Sequence, residues 1–566
     1  MDRKTILAFV LIALVLVLYP LYMQWTGLNK KTTQPSVVGE DTTRVAVPQP
    51  VAQPADTVVT GKAAVAAPQK TPTLVPASSE PERELKVETP LYTALFTSQG
   101  GNLKSLVLKK YVDFKKEVID LVGDGQNGHN LDVVFPDSNF SLSAISFVSD
   151  NPDLSLSQKG EKKEIAFRFS SAGLSVTKTY TFYADRYGFD LSLSVNGNSA
   201  LLGRKYYLAW ASGMPATEKK DLKNLSEDLS YFATYASIGG EMLENKGPKD
   251  TSLMEFSRSG KTIWVASRSK YFVASLITPD SSGSGFYTSG KNAYDVVNGN
   301  QVLVGKRLSI RLEKEVPNQP SFTHKFLIHI GPLDYWALGK YDIGLQDMVN
   351  LGWVGFKPFA IGILWFFVNL HKIIPNYGVV IIIFTMLMKI IFFPLSRKMT
   401  KTSLLMAEMA PKINKLKEKY KEDKQKLNQE IFKLYREHKI NPLGGCLPLL
   451  IQIPIFWGLF VLLKSTIEMR QAPFVGWIKD LSIADPYYIL PVIMAVAMFF
   501  QQKMTMKDPR QKMLVYLMPA MFFFFFYGFA AGLTLYWTVY NILSVGEQYL
   551  IRSQMQPIAH QEPAAP

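Results

Sequence analysis

The stretch Tyr377-Gly-Val-Val-Ile-Ile-Ile-Phe-Thr-Met-Leu-Met-Lys-Ile-Ile-Phe-Phe-Pro-Leu395 decides the fold class, because nearly all of it is apolar and one lysine interrupts it. A helix of about 20 residues crosses the roughly 30 Å hydrocarbon layer of a bilayer. The stretch therefore predicts a transmembrane helix that carries a single positive charge, Lys389, within the membrane.

Lys389 has two interpretations, because a charge near the bilayer centre costs about 2.5–3.5 kcal/mol on insertion scales. It stands six residues before the end of the stretch, so its side chain either snorkels to the headgroups or faces a water-filled cavity between helices. Thr385, one turn away on the same face, favours the cavity. Polar residues of other apolar stretches are further candidates, although each alone also suits plain helix–helix contact: Gln452, Gln501, Gln502, Thr534, Tyr536, Trp537 and Asn541.

Other apolar stretches predict further spans, to a total of six. They are Pro442–Leu463, Pro486–Gln502, a run from Met513 to Leu550 that Gly528–Gly532 divides into two, and Ile6–Trp25. We interpret the last as an uncleaved signal-anchor helix within residues 1–28, because no small-residue cleavage site follows it; a cleaved signal peptide would leave five spans. Residues 377–551 would then form a five-helix core.

Charge predicts how these spans are oriented. The chain has 566 residues with 62 Lys+Arg and 47 Asp+Glu, a net charge of +15. Ser396–Ile440 holds thirteen basic and six acidic residues, and Lys503–Lys512 holds four basic and one acidic. Short basic loops stay in the cytoplasm, so both segments are predicted inside. Counting the crossings from them also places the N-terminus and the short tail 552–566 inside. The region before Tyr377 is predicted outside.

Two helical regions flank the first core span. Residues 343–376 contain the apolar run Trp353–Leu370, which Lys357 interrupts, and predict an amphipathic helix lying on the membrane. Residues 396–440 predict a cytoplasmic helical hairpin whose two amphipathic halves meet at the acidic pair 422–423, with a kink at Pro411. Its lysines predict a solvated face, with anionic lipid or RNA as alternative contacts: Lys412, Lys415, Lys419 and Lys424.

The part of the chain between residues 85 and 342 has a different pattern, with short runs in which apolar and polar residues alternate, such as Leu174–Tyr183. Period-two alternation is typical of half-buried strands, and so many of them predict a large antiparallel β-sandwich, here on the outer side of the membrane. Residues 29–84 contain no aromatic residue and many Pro and Ala, which predicts a disordered linker. With one cysteine, six histidines and no phosphate-binding loop, nothing indicates a disulfide, metal or nucleotide site.

Four motifs resemble signature stretches of the bacterial membrane protein insertases of the YidC/Oxa/Alb family. They are Asn441-Pro-Leu-Gly-Gly-Cys-Leu-Pro-Leu-Leu-Ile-Gln-Ile-Pro-Ile-Phe456, Arg470-Gln-Ala-Pro-Phe474, Asp485-Pro-Tyr-Tyr-Ile-Leu-Pro491 and Gly532-Leu-Thr-Leu-Tyr-Trp537. The segment order resembles the Gram-negative form of the family, with its signal-anchor, periplasmic domain and five-span core. Relatives in mitochondria and chloroplasts lack the periplasmic domain.

The resemblance implies a hydrophilic groove in the inner leaflet with one essential positive residue, which Lys389 matches where many members have arginine. Lysine keeps the charge and loses the forked donor geometry. Thr385, Gln501 and the pair Tyr536-Trp537 match positions at which the family contacts substrate, and Gln452 is a further candidate for the groove lining. After Leu550 only Arg552 is basic, which does not favour ribosome docking through the tail.

The resemblance also implies the function. It predicts insertion and folding of nascent inner-membrane proteins, alone or with the Sec translocon, without ATP hydrolysis and without a cofactor. The ribosome, through the cytoplasmic loops, and the phospholipid bilayer are the other expected partners. A secondary transporter that uses the same cavity is the alternative, although no inverted repeat is recognisable across Tyr377–Leu550. An enzyme of the β domain is disfavoured, because no catalytic constellation is recognisable there.

Overall fold

The computed structural model describes residues 81–122, 130–171, 173–197, 202–218, 222–280, 282–297, 300–438, 447–505 and 512–554. Several predicted segments lie wholly or mostly outside these residues: the first span, the linker, the loop between Lys503 and Lys512, and the C-terminal tail. The end of the predicted hairpin and the start of the span Pro442–Leu463 lie outside them as well.

The first part of the described chain is built from strands. They are β1 Glu84–Glu88, β2 Tyr92–Thr97, β3 Asn102–Val112, β4 Val118–Asp120, β5 Asp132–Phe135, β6 Phe140–Ser141, β7 Leu154–Ser155, β8 Lys162–Ser171, β9 Leu174–Tyr183, β10 Gly188–Gly197, β11 Lys205–Trp210, β12 Ala233–Ile238, β13 Glu241–Asn245, β14 Met254–Arg268, β15 Phe272–Ile277, β16 Gly283–Val297, β17 Asn300–Glu315 and β18 Ser321–Pro332. In β9, buried and half-buried residues alternate along the whole strand, as its sequence predicts.

These strands form two sheets. A five-stranded sheet has the order β4-β3-β2-β1-β7, and a thirteen-stranded sheet has the order β6-β5-β11-β17-β16-β14-β15-β18-β10-β9-β8, with β12 and β13 joined to β14. Within the described strands the pairing is antiparallel except between β1 and β7. Phe96 of the small sheet packs against Tyr180, Phe182 and Phe189 of the large one, so the two sheets share one buried core.

His329 on β18 is a buried histidine whose protonation opposes folding. Its Nδ1 lies 3.0 Å from the Tyr341 hydroxyl, and burial lowers its pKa from 6.5 to about 4. An unfolded chain binds the proton as the pH falls through 6.5, whereas the folded chain binds it only near 4. This residue's contribution to stability, roughly 3 kcal/mol, should therefore be complete above pH 6.5 and lost as the pH falls to 4.

The prediction can be checked by thermal unfolding of the full chain in detergent at pH 4 to 8. His329→Gln should flatten the acid branch of the stability curve relative to the parent chain, because glutamine does not titrate. Parallel acid branches in the two proteins would contradict this role of His329.

The second part of the described chain is helical, and one helix also lies among the strands. The helices are α1 Leu222–Leu229, α2 Tyr335–Gly339, α3 Lys357–His371, α4 Tyr377–Glu408, α5 Ala410–Lys419, α6 Lys424–Glu437, α7 Leu447–Ser465, α8 Ile489–Thr505, α9 Lys512–Phe526 and α10 Ala531–Gln554. Within the described residues, 377–402 is long and apolar enough to cross a membrane. Shorter apolar stretches cover 452–465, 489–504 and 515–526.

Helix α4 is longer than the sequence predicts. The prediction ended the span at Leu395 and began the hairpin at Ser396, whereas the helix runs on to Glu408 with Pro394 inside it. No strong helix breaker follows Pro394 before residue 409, and a proline within a membrane helix is tolerated where neighbours satisfy the freed carbonyl. The chain turns between α4 and α5, where Pro411 stands in the first turn of α5.

Helix α3 has one face on the core and one face open. Ala360, Ile363, Leu364 and Phe367 are buried, and a Cβ at Gly458 of α7 would stand only 3.1 Å from Ile363. Phe359, at the side of this face, and Trp365, nearly opposite it, are exposed. The position of α3 at the membrane surface stays a prediction.

A joint connects the strand-rich part to the helices through the loop after α7. Arg470 in this loop donates from Nε to Glu218 at 2.6 Å and from a terminal nitrogen to the Val112 carbonyl at 2.6 Å. Its side chain is only 3% exposed. Gln471 donates to the carbonyls of Val112 and Asp113. The joint therefore combines a buried ion pair with backbone hydrogen bonds.

Candidate functional site

Lys389 lies inside the helix bundle and not at its edge. Its Nζ is 2.8 Å from Oε2 of Glu547 on α10, and the two side chains are only 12% and 8% exposed. The Tyr540 ring lies 4.3 Å from the same nitrogen, within the range of a cation–π contact. The snorkelling interpretation does not describe this arrangement, because the ammonium group turns toward the neighbouring helix.

The carboxylate of Glu547 is held from both sides. Ser396 donates to Oε1 while Lys389 donates to Oε2. Lys389 and Ser396 are seven residues apart on α4, and Tyr540 and Glu547 are seven apart on α10, so each pair occupies one helix face two turns apart. Beyond them, Arg397 donates to Gln554 at 2.9 Å. Polar contacts therefore join the middle of α4 to the C-terminal part of α10.

Glu547 is not among the residues predicted from the sequence, although its position in the sequence carries a signal. It is the only acidic residue in Ala531–Gln554. An ionisable residue in an apolar helix marks a functional or paired position as strongly when it is acidic as when it is basic.

A second polar contact lies closer to the start of α10. Gln452 on α7 donates to the Tyr536 hydroxyl, and both side chains are buried. The helices approach closely because residue 532 is glycine: a Cβ there would lie 2.7 Å from the side chain of Leu463. The Tyr536 and Tyr540 rings are 6.2 Å apart, so tyrosines connect the Gln452 contact to the Lys389 pair.

Thr385 and Trp537 are less available than the sequence suggests. Thr385 is fully buried, and its hydroxyl donates to the Ile381 carbonyl at 2.7 Å. The Trp537 ring packs against Phe456 and Phe526 at 5.5 and 5.6 Å between centroids. In this conformation the Thr385 hydroxyl is used within its own helix, and the Trp537 ring lies in an aromatic cluster.

The buried face of α10 is polar along most of its length. Thr538 donates to Thr534 within the helix and reaches the Leu490 carbonyl of α8 at 3.4 Å. Gln502, near the end of α8, is buried, and Gln501 beside it is partly exposed. Buried polar residues recur on α10 at spacings of three or four: Thr534, Thr538, Asn541, Ser544 and Gln548. A polar seam therefore runs between α8 and α10 toward the Lys389 pair.

The predicted hairpin lysines lie on a separate pair of short helices. Lys412 approaches His438 at 3.4 Å, Lys415 and Lys419 are exposed on α5, and Lys424 begins α6. Met409 and Ile413 form a small apolar core with residues of α6. Among the described residues no group of three or more His, Cys, Asp or Glu side chains is arranged to hold a metal ion.

Two family models match the chain, one for each part. Residues 84–365 match the YidC periplasmic domain, and residues 369–559 match the 60Kd inner membrane protein family. The chain is 36% identical over 574 residues to a protein of Syntrophus aciditrophicus named membrane protein insertase YidC, and the alignment covers 98% of this chain and 100% of the relative. This chain belongs to the YidC family.

Further YidC relatives agree with this membership. A YidC of Chlorobium luteolum is 33% identical, with 98% of this chain and 95% of the relative covered, and one of Geobacter metallireducens is 34% identical, with 90% and 93% covered. A solved YidC insertase structure covers 83% of this chain and 93% of its own, at 20% identity and a TM-score of 0.37. The resemblance inferred from the motifs is confirmed, and the strand-rich part is the YidC periplasmic domain.

Proposed function

We propose that this chain inserts membrane proteins into the bacterial inner membrane and helps them to fold, with the polar groups between α4, α7, α8 and α10 as the groove that receives a hydrophilic segment. The observation that carries the proposal is the buried Lys389, which faces polar partners inside an apolar bundle. The relatives' printed name, membrane protein insertase, supports it.

The proposed mechanism follows from electrostatics and partition. A lysine in a medium of reduced dielectric attracts an acidic residue of the nascent chain more strongly than it would in water. The hydrophilic segment then crosses only part of the hydrocarbon layer on its own. Transfer of the apolar helix into lipid releases about 25 cal/mol per Å² of buried apolar surface, which drives insertion without ATP. Gln452, Gln501, Thr385, Tyr536 and Trp537 complete the proposed groove.

The proposed topology follows the charges. Helices α5 and α6, with Lys412, Lys415, Lys419 and Lys424, would lie in the cytoplasm with both termini, near the ribosome and the lipid headgroups. The periplasmic domain would lie opposite them, and six spans would include the N-terminal one. Cooperation with the Sec translocon belongs to the same proposal.

The transporter alternative gains no support, because the relatives reported above are named insertases. The deciding experiment reconstitutes the purified full-length chain into liposomes of phosphatidylethanolamine and phosphatidylglycerol and adds a single-span substrate with a short acidic N-terminal segment. Without nucleotide, we expect a protease-protected substrate fragment only where the protein is present, with empty liposomes as control. Saturable uptake of a small anion without any protected fragment would overturn the proposal.

A further inference from the structure

The ion pair between Lys389 and Glu547 affects which substrates can bind. The ammonium group of the proposed groove is already paired with a carboxylate of the same chain. Glu547 occupies it at 2.8 Å, and Ser396 holds the other carboxylate oxygen. We propose that Glu547 is an internal stand-in for the carboxylate of the substrate, and that an acidic side chain of the nascent segment takes its place on Lys389. This inference rests on the proposed function and adds a residue that sets specificity.

Burial favours exchange over simple addition. With exposures of 12% and 8%, the two side chains leave little room for a third charged group, and the Tyr540 ring covers another side of the ammonium. Removing one member of a buried ion pair is strongly unfavourable, because the other charge is left uncompensated. An incoming carboxylate avoids that cost for Lys389, since one ion pair replaces another.

The released carboxylate also has polar neighbours. Glu547 keeps Ser396 as a donor, and it stands seven residues before the end of α10. Arg397, which follows Ser396, already reaches Gln554 of α10 at 2.9 Å. Arg397 is therefore a second cation on α4, next to the serine that already contacts Glu547.

Exchange with Glu547 makes the groove prefer acidic segments over neutral ones. A lysine without a bound carboxylate would discriminate less between the two. An amide side chain such as asparagine cannot replace a carboxylate without leaving Lys389 unpaired, so a neutral segment competes poorly with Glu547. An aspartate or glutamate of the substrate offers Lys389 the same carboxylate group that Glu547 does, so it can replace Glu547. Acidic segments can therefore displace Glu547 from Lys389, whereas neutral segments displace it poorly.

The first test compares two otherwise identical single-span substrates, one with two aspartates and one with two asparagines in the N-terminal segment, in the reconstituted system. Glu547→Gln removes the competing carboxylate that excludes neutral segments, and it should raise insertion of the asparagine substrate about threefold or more relative to the aspartate substrate. Glu547→Asp, which draws the carboxylate back by one methylene, should give a smaller change in the same direction. Gln554→Ala is the matched control, because it removes another α4–α10 contact without touching Lys389, and should leave the ratio unchanged.

The second test observes the exchange directly. A carbodiimide joins a carboxylate and an amine that are in contact, so in the resting full-length protein it should link Lys389 to Glu547, as read by mass spectrometry of the peptides. Adding the stalled aspartate substrate should lower this internal link and create a link from Lys389 to the substrate, whereas the asparagine substrate should leave it intact.

The outcomes separate the two levels of the proposal. If the parent chain inserts neither substrate, the proposed function fails. If it inserts substrate, but Glu547→Gln and Glu547→Asp lower both substrates equally, or the internal link is absent or unaffected by the aspartate substrate, then Glu547 is only a structural partner and the exchange is wrong.

Discussion

Lys389→Glu is expected to reduce insertion of a substrate with an acidic N-terminal segment about tenfold or more. The substitution would place a second carboxylate against Glu547, where the ammonium now lies 2.8 Å away. Two buried like charges repel each other, and neither offers an attractive site to an acidic residue. The measurement is the protease-protected fraction of the substrate in proteoliposomes with equal amounts of folded protein.

Lys389→Arg is the matched variant for this prediction. It keeps the charge, which the point-charge role requires, and adds donors that suit a carboxylate, so insertion should stay within about threefold of the parent. Undiminished insertion by a folded Lys389→Glu variant would exclude a role for the charge at this position.

Arg470→Ala is expected to lower the free energy of unfolding by about 3–5 kcal/mol, the second large effect. The substitution leaves Glu218 without its buried partner and the Val112 carbonyl without a donor. It also removes the guanidinium from the rings of Tyr271 and Phe272, whose centroids lie 5.7 and 5.4 Å away. Thermal unfolding of the full chain in detergent measures the effect, and limited proteolysis should show faster cleavage near the joint.

Lys116→Ala controls for this second prediction, because it removes a different contact of the same joint. Lys116 donates to Gln471 at 2.9 Å in an exposed position, and exposed polar contacts contribute about 1 kcal/mol or less. Equal losses of stability in the two variants would mean that the joint depends on surface contacts and that the buried arginine has no special part in it.

The strands and helices could be predicted from local patterns, whereas their partners could not. The alternation in Leu174–Tyr183 identifies β9, and the apolar stretch from Tyr377 identifies α4. Neither pattern contains the order of the thirteen-stranded sheet, which depends on contacts between residues distant in sequence. The end of α4 was misplaced because charge replaces apolar residues after Leu395 while the helix itself continues.

For the candidate site, too, individual residues could be predicted from the sequence, whereas their partners could not. Lys389 stands out because it breaks an apolar stretch, and Gln452 and Tyr536 were named separately as polar residues of other spans. The sequence does not show that Gln452 and Tyr536 bond to each other, or that Lys389 pairs with a residue 158 positions further on. Thr385 looks available from its position alone, but its hydroxyl is used within its own helix. Pairing is a property of the packed bundle.

The joint at Arg470 connects the periplasmic domain mechanically to helix α7. Arg470 follows the end of α7 by five residues, and Gln452, which bonds to Tyr536, lies on the same helix. Because a buried ion pair and backbone hydrogen bonds fasten the domain to this loop, a force that tilts the domain is transmitted into α7. Tilting the domain would therefore displace α7, and with it the Gln452 side chain that bonds to Tyr536.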